Sequence, residues 1–284
     1  MHKRLKFAYN PADNVKTFHF DHVHIFSNEQ LTLHQQPTWE LSYVITGQGM
    51  RIVGYTMERF SQGEVVLVPP NMQHYWAYDE LVSDNEGKIE NITLTFTDSL
   101  LKNIKTTFPE LTDGISKIRG YDKALLFNGY SLERLQKIMQ KAITQPHTKQ
   151  IPSILEILLV ISTQEKAYEV GRSVVENKAT KRLQRVYLYV MNNYNNMLTL
   201  DKVAAHAVME KSAFCVFFKK MTGKTFFTFF AEYRIELACD ILLKTDKSIA
   251  EICFESGFGD VPYFNRTFKK IKGITPNEYR KMMR

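Results

Sequence analysis

The chain has 284 residues, 44% hydrophobic and 24% charged, a balance that fits a globular protein and excludes a disordered one. Its longest purely apolar stretches, such as Ile157–Ile161, are too short to cross a bilayer. The net charge of +7 divides unevenly: Lys178–Arg284 holds 19 basic and 10 acidic residues, and the preceding 177 residues hold 18 and 20. The basic excess therefore sits in the last third, where it favours a polyanionic partner such as nucleic acid, although a solvated basic face would have the same composition. No apolar segment follows the basic residues Lys3, Arg4 and Lys6, so no secretory signal is expected. The three cysteines, Cys215, Cys239 and Cys253, lack Cys-x-x-Cys spacing; reduced thiols in a cytoplasmic protein are expected, with no disulfide or zinc site.

The first ~95 residues read as strands. Leu41–Thr46, Met50–Val53, Glu64–Val68 and Ile92–Phe96 alternate or are rich in β-branched residues. Turn formers separate them: Gly47-Gln48-Gly49, Ser61-Gln62-Gly63 and Ser83-Asp84-Asn85-Glu86-Gly87. Many short strands at close spacing suggest a sandwich or a barrel. From Ser131 the period becomes helical, with Leu132, Leu135, Ile138, Met139, Ala142 and Ile143 on one stripe. A second helix is expected from about Pro152 to Glu165, apolar on more than one side around Ile154–Ile161. Core packing explains both helices, and a homodimer interface is the second reading. The stretch 169–180 loses apolar periodicity and is the expected linker. Beyond it, Leu183, Val186, Tyr187, Val190, Met191 and Tyr194 resume the helical rhythm.

An internal repeat lies in this last part. Phe218-Lys219-Lys220-Met221-Thr222-Gly223-Lys224-Thr225 recurs 50 residues later as Phe268-Lys269-Lys270-Ile271-Lys272-Gly273-Ile274-Thr275, and Phe214 maps onto Phe264. Each copy places two phenylalanines four apart on one helix face, then a lysine pair, then a glycine suited to a left-handed helix end. A shorter helix and a turn precede each copy: Leu200–Ala207 with Val208-Met209-Glu210, and Ser248–Glu255 with Ser256-Gly257-Phe258-Gly259-Asp260. Short helix, turn, longer helix is the helix-turn-helix pattern, whose second helix enters the major groove. A further helix, Tyr233–Leu243, is expected to join the copies.

These segments, with Arg234-Ile235-Glu236-Leu237-Ala238, Gly257-Phe258, Arg266-Thr267-Phe268-Lys269-Lys270 and Gly273-Ile274-Thr275-Pro276-Asn277-Glu278-Tyr279-Arg280, resemble the DNA-binding domain of the AraC/XylS family of transcription regulators. The resemblance implies two recognition helices on successive major-groove segments of one DNA face. Base-facing residues would be Ser212, Cys215 and Val216 in the first helix, and Val261, Pro262, Asn265 and Arg266 in the second. Lys219, Lys220, Lys269 and Lys270 would reach phosphates. Val216 stands where the resembled pattern often has a hydrogen-bonding residue, and Glu210 replaces the usual N-cap serine. Valine and cysteine can touch a thymine methyl but cannot fork onto guanine, so the second unit is expected to supply most direct readout.

In the amino-terminal part, Glu40 precedes Gly47 by six intervening residues, and Gly63, Pro69 and His74 are separated by five and four. Together with His34 this pattern resembles the two motifs of the cupin barrel, a fold common among sensors of that family. Gln36 stands where metal cupins carry a second histidine, leaving His34, Glu40 and His74, which could hold Fe(II) or Mn(II). The preferred reading is an effector pocket formed by His34, Glu40, His74 and Trp76, with satisfied barrel histidines as the plain alternative. The aromatics Trp39, Tyr43, Trp76 and Tyr78 near these motifs suggest a carbohydrate, although strand alternation forbids all four facing inward.

The resulting expectation is an α+β chain of two domains. Residues 1–168 form a cupin-like barrel with trailing helices, 169–180 a linker, and 181–284 an all-α domain of two helix-turn-helix units. The function expected is a cytoplasmic, effector-responsive regulator, an activator, that binds double-stranded DNA. No catalytic residue, resident metal or cofactor and no membrane association is assigned. The alternative is a metal-dependent cupin enzyme with an accessory DNA-binding domain.

Overall fold

The computed structural model describes residues 17–30, 32–80, 82–164, 167–171 and 178–283. The chain divides into two compact units, Met1–Val175 and Glu176–Arg284. No helix among the described residues is long and apolar enough to cross a membrane.

The first unit is built on β1 (Phe18–Phe26), β2 (Trp39–Thr46), β3 (Gly49–Val53), β4 (Thr56–Phe60), β5 (Val65–Val68), β6 (His74–Tyr78), β7 (Lys88–Phe96), β8 (Ala124–Leu126) and β9 (Tyr168–Val170). Six of these form one antiparallel sheet in the order β1-β7-β2-β5-β8-β9, and three form a second in the order β4-β3-β6. The expected barrel is corrected here: no barrel is closed, because β3 pairs with β4 and β6 while the larger sheet ends at β1 and β9.

Strand β2 shows how the layers arise. Trp39, Leu41 and Tyr43 join the core shared with α1 (Asp98–Thr107), α2 (Thr112–Arg119), α3 (Gly129–Ile143) and α4 (Ile151–Thr163). Its alternate residue Val44 joins a different core, with Val53, Phe60 and Trp76 of the smaller sheet. The larger sheet is therefore covered on one face by helices and on the other by the second sheet, and Trp39 through Val44 are all buried. Alternation then places Glu40 and Ser42 on the inter-sheet face with Val44. Helices α1 and α2 were not anticipated: each buries only two apolar residues, Leu101 and Ile104 or Ile115 and Ile118, which is too little periodicity to read in isolation. Helix α3 buries the stripe Leu135, Ile138, Met139 and Ala142, and Pro152 stands in the first turn of α4. Of the segment expected to link the domains, Glu169 and Val170 pair with Leu125 and Ala124, while residues 172–177 lie outside the described residues.

The second unit contains α5 (Lys178–Asn193), α6 (Leu200–His206), α7 (Lys211–Thr222), α8 (Phe226–Lys244), α9 (Ile249–Glu255), α10 (Val261–Lys272) and α11 (Pro276–Met283). The repeat is structural as well as sequential. Thr199 and Ser248 cap α6 and α9 by accepting from Lys202 and Glu251 amides. Helices α7 and α10 end at Gly223 (φ 78°) and Gly273 (φ 80°), whose amides donate to Lys219 and Lys269 carbonyls, 2.9 Å in both copies. Phe214 and Phe218 are fully buried, as are Phe264 and Phe268. Helix α8 serves both cores. Phe226 and Phe229 pack rings on Phe218 at 5.6 and 5.4 Å, and Ile235, Ala238, Cys239 and Leu242 lie with Phe264 and Phe268. It begins seven residues before the expected Tyr233 because Thr225 caps it there, accepting from the Thr228 amide.

The second turn is one residue longer than the first, and at one equivalent position the two differ in backbone strain. Val208 and Gly257 occupy equivalent places: the next residue's amide donates to Ala204 or Cys253, both at 2.9 Å. Gly257 has φ 89° and Val208 has φ 55°, so a β-branched residue stands in the left-handed region in the first copy.

A candidate nucleic-acid interface and an interior polar site

Helices α7 and α10 turn the same side away from the phenylalanines. At 100° per residue, positions 212, 216 and 219 of α7 lie opposite Phe214, and 262, 266 and 269 of α10 repeat the relation. Ser212, Cys215, Val216, Lys219 and Lys220 are exposed in the first helix; Pro262, Arg266, Lys269 and Lys270 are exposed in the second. Asn265 is half-buried. Val261 is also half-buried and packs against the core around Phe264.

Charge is arranged on this face. Neither helix contains an acidic residue. Among the described residues, the side chains of Lys219, Lys220, Arg266, Lys269 and Lys270 make no hydrogen bond or ion pair. Four other lysines of the unit are neutralised: Lys211 by Asp201 at 3.0 Å, Lys247 by Glu255 at 2.6 Å, Lys272 by Glu236 at 2.7 Å, and Lys224 by Glu232. The helix ends also differ. Asp260 caps α10, accepting from the Tyr263 amide at 2.6 Å, whereas Glu210 gives α7 no side-chain cap.

Arg234 was not anticipated as a linchpin. From the middle of α8 it donates to the Tyr194 carbonyl at 2.7 Å and the Asn196 carbonyl at 2.8 Å. Its guanidinium stacks 3.9 Å from the Phe230 ring centre and 5.8 Å from that of Phe258. Burial lowers its pKa to about 10, still well above neutrality.

In the first unit His34, Glu40, His74 and Trp76 come together. His34 pairs with His74 through backbone hydrogen bonds of 2.9 and 3.2 Å, with their rings 4.3 Å apart. The His74 ring meets Trp76 edge-on at 5.5 Å, and its Nε2 lies 3.1 Å from Glu40 Oε2, which also accepts from Gln36 at 2.7 Å. The protonation state follows from the partners. His74 Nδ1 faces the Met72 carbonyl at 2.8 Å and Nε2 faces a carboxylate; both are acceptors, so both nitrogens donate and the ring is an imidazolium. Burial opposes the charge on either partner. Even so, Glu40 raises the His74 pKa above its ordinary value, and His74, with Gln36, holds the Glu40 carboxyl below its own. Burial, with His74 nearby, lowers His34.

Alternation settles the neighbouring aromatics. Trp39 and Tyr43 belong to the helix-side core, while Trp76 belongs to the inter-sheet core with Tyr78 packed against it. The polar lining that sequence reasoning missed is on β7. Its Ile92, Leu94 and Phe96 face the helices, leaving Asn91, Thr93 and Thr95 on the side of Glu40 and Ser42. Asn91 Nδ2 donates to Ser42 Oγ at 3.1 Å and to Tyr78 Oη at 3.3 Å. Thr95, paired in register with Glu40, has a buried hydroxyl with no hydrogen-bond partner among the described residues. His34, Glu40 and His74 also offer ligand atoms within 4.8 Å of one another, a group that could hold a metal ion if His74 gave up its Nε2 proton.

Residues 203–282 match a family model described as a helix-turn-helix domain. The MmsAB operon regulatory protein of Pseudomonas aeruginosa is 26% identical over 252 residues, covering 86% of this chain and 75% of that protein. A helix-turn-helix regulator of Pseudoalteromonas carrageenovora, itself uncharacterised, is 37% identical over 99 residues, 35% of this chain and 58% of that one. Among solved structures, an AraC-type DNA-binding regulator of Chromobacterium violaceum is 26% identical over 37% of this chain and 94% of its own, with a TM-score of 0.35. The carboxyl-terminal unit thus contains a helix-turn-helix domain, and the relatives support a DNA-binding transcriptional regulator as the protein that carries it.

Proposed function

We infer that the protein is a sequence-specific regulator in which α7 and α10 each enter the major groove of double-stranded DNA. One observation carries this reading: two equivalent acid-free helices present unpaired cations on the side opposite their buried phenylalanines. Lysines at the helix ends supply affinity without sequence information, while Arg266 and Asn265 supply hydrogen-bonding readout. In a protein–DNA binding assay, Arg266→Ala should relax the preference at one base pair by ~1–3 kcal/mol. An unchanged preference would remove Arg266 from the readout.

The amino-terminal unit, cupin-like in this reading though unclosed, senses a small polar molecule between its sheets. The buried Thr95 hydroxyl, the Glu40–His74 pair and the Trp76 ring favour a neutral, hydroxyl-rich ligand such as a carbohydrate. Binding acts on transcription, as activation, only in so far as the ligand favours one DNA-binding state over another. A homodimer formed through α3 and α4 is one route to such coupling. The protein works in the cytoplasm and is not an enzyme in this reading. The clustering of His34, Glu40 and His74 favours one rival, a metal-dependent enzyme with an accessory DNA-binding domain. Stoichiometric iron or manganese in purified protein, lost in His74→Ala, would favour it.

A further inference from the structure

We propose that the two recognition helices read chemically different half-sites, and that α7 recognises its half through the 5-methyl groups of thymine. The inference rests on the DNA-binding reading above and goes beyond it by assigning a base chemistry to each helix. Base edges are met mainly by the amino-terminal half of a recognition helix. In α7 that half exposes Ser212, Ala213, Cys215 and Val216. Its one cation, Lys211, is held by Asp201 at 3.0 Å. Nothing there can fork onto the two acceptors of guanine or the donor–acceptor pair of adenine. Val216 is 71% exposed, a branched apolar side chain turned to solvent on the surface that α10 uses for Arg266. An exposed valine, a thiol and a methyl beside one hydroxyl suit the methyl-lined edge of A·T pairs. At the equivalent positions α10 offers Asn265 and Arg266, which suit adenine and guanine.

The experiment uses the full chain and its preferred duplex, selected from a random pool. The half whose base preference changes in Arg266→Ala belongs to α10, and the other to α7. Deoxyuridine then replaces thymine in one half at a time, which removes the methyl group and leaves pairing intact. The expected result is a loss of about fourfold in affinity per contacted thymine in the α7 half, the value of one buried methyl group, and little change in the α10 half. Val216→Ser should reduce the thymine–uracil difference, and Val216→Arg should create a guanine preference in that half. Tight, selective binding that is indifferent to uracil in the α7 half overturns the proposal and leaves the DNA-binding reading standing. Failure to select any duplex overturns both.

Discussion

Replacing Lys219, Lys220, Lys269 and Lys270 together by alanine tests whether the unpaired cations are the phosphate contacts. Each phosphate neutralised on a duplex contributes about 0.9 to the slope of log affinity against log salt. If all four lysines reach phosphates, the slope should fall by about 3.6; if only one helix is engaged, by about 1.8. Alanine is the best helix former, so α7 and α10 should persist. The control comes from the ion pairs. Lys247 and Lys272 lie in the same basic unit but are held by Glu255 and Glu236, and their replacement should leave the slope within a few tenths of wild type. The assay is equilibrium binding of the full chain to one duplex across a salt series, with circular dichroism to confirm folding. Equal losses per lysine from the paired and unpaired sets would refute the reasoning, since binding would then follow net charge and not its arrangement.

The two turns offer a reciprocal test. Val208→Gly should relieve ~1–2 kcal/mol of left-handed strain, less ~0.5–1 kcal/mol of added chain entropy, and so raise stability slightly in urea unfolding. Gly257→Ala should cost more than ~2 kcal/mol, because its Cβ would stand 2.4 Å from the Tyr194 carbonyl oxygen. At the helix starts, Asp260→Ala should lose about 1 kcal/mol and Glu210→Ser should gain a similar amount, both read from the same unfolding curves. In the first unit, His74→Asn strands the Glu40 carboxylate and should cost ~3–5 kcal/mol, with Glu40→Gln/His74→Asn recovering part of it. The pair also sets a pH window. The contribution of His74 is full below 6.5 and fades as pH rises through its elevated folded value. That of Glu40 is full above 4.5 and fades as pH falls through its depressed one. Wild type should therefore exceed the double variant most between pH 4.5 and 6.5, and a difference that failed to shrink on both the acid and the alkaline side of that range would contradict the ion pair.

What could be read from the sequence was what is periodic. Phe214, Phe218, Phe264 and Phe268 mark two amphipathic helices with the same glycine exit, and the structure gives them equal burial and equal carboxyl-terminal caps. Strand β2 was legible as a strand, but not in its orientation. The alternation of Trp39, Leu41 and Tyr43 with Glu40, Ser42 and Val44 marks a polar face, and only the second sheet makes that face an interior. Barrel closure depends on which edges pair, which no local pattern carries. The three-residue strand β9 has no period to detect, so Glu169 and Val170 read as linker. Arg234, 40 and 38 residues from Tyr194 and Asn196, joins them to Phe258, a convergence that exists only after folding.

The central claim is that one chain presses two helices into one duplex. Hydroxyl-radical footprinting of the full chain on its selected DNA measures this directly. Two protected segments on one face of the duplex, roughly one helical turn apart, are predicted, with one weakened by Arg266→Ala. A single protected segment, or no protection in dilute salt, would contradict it.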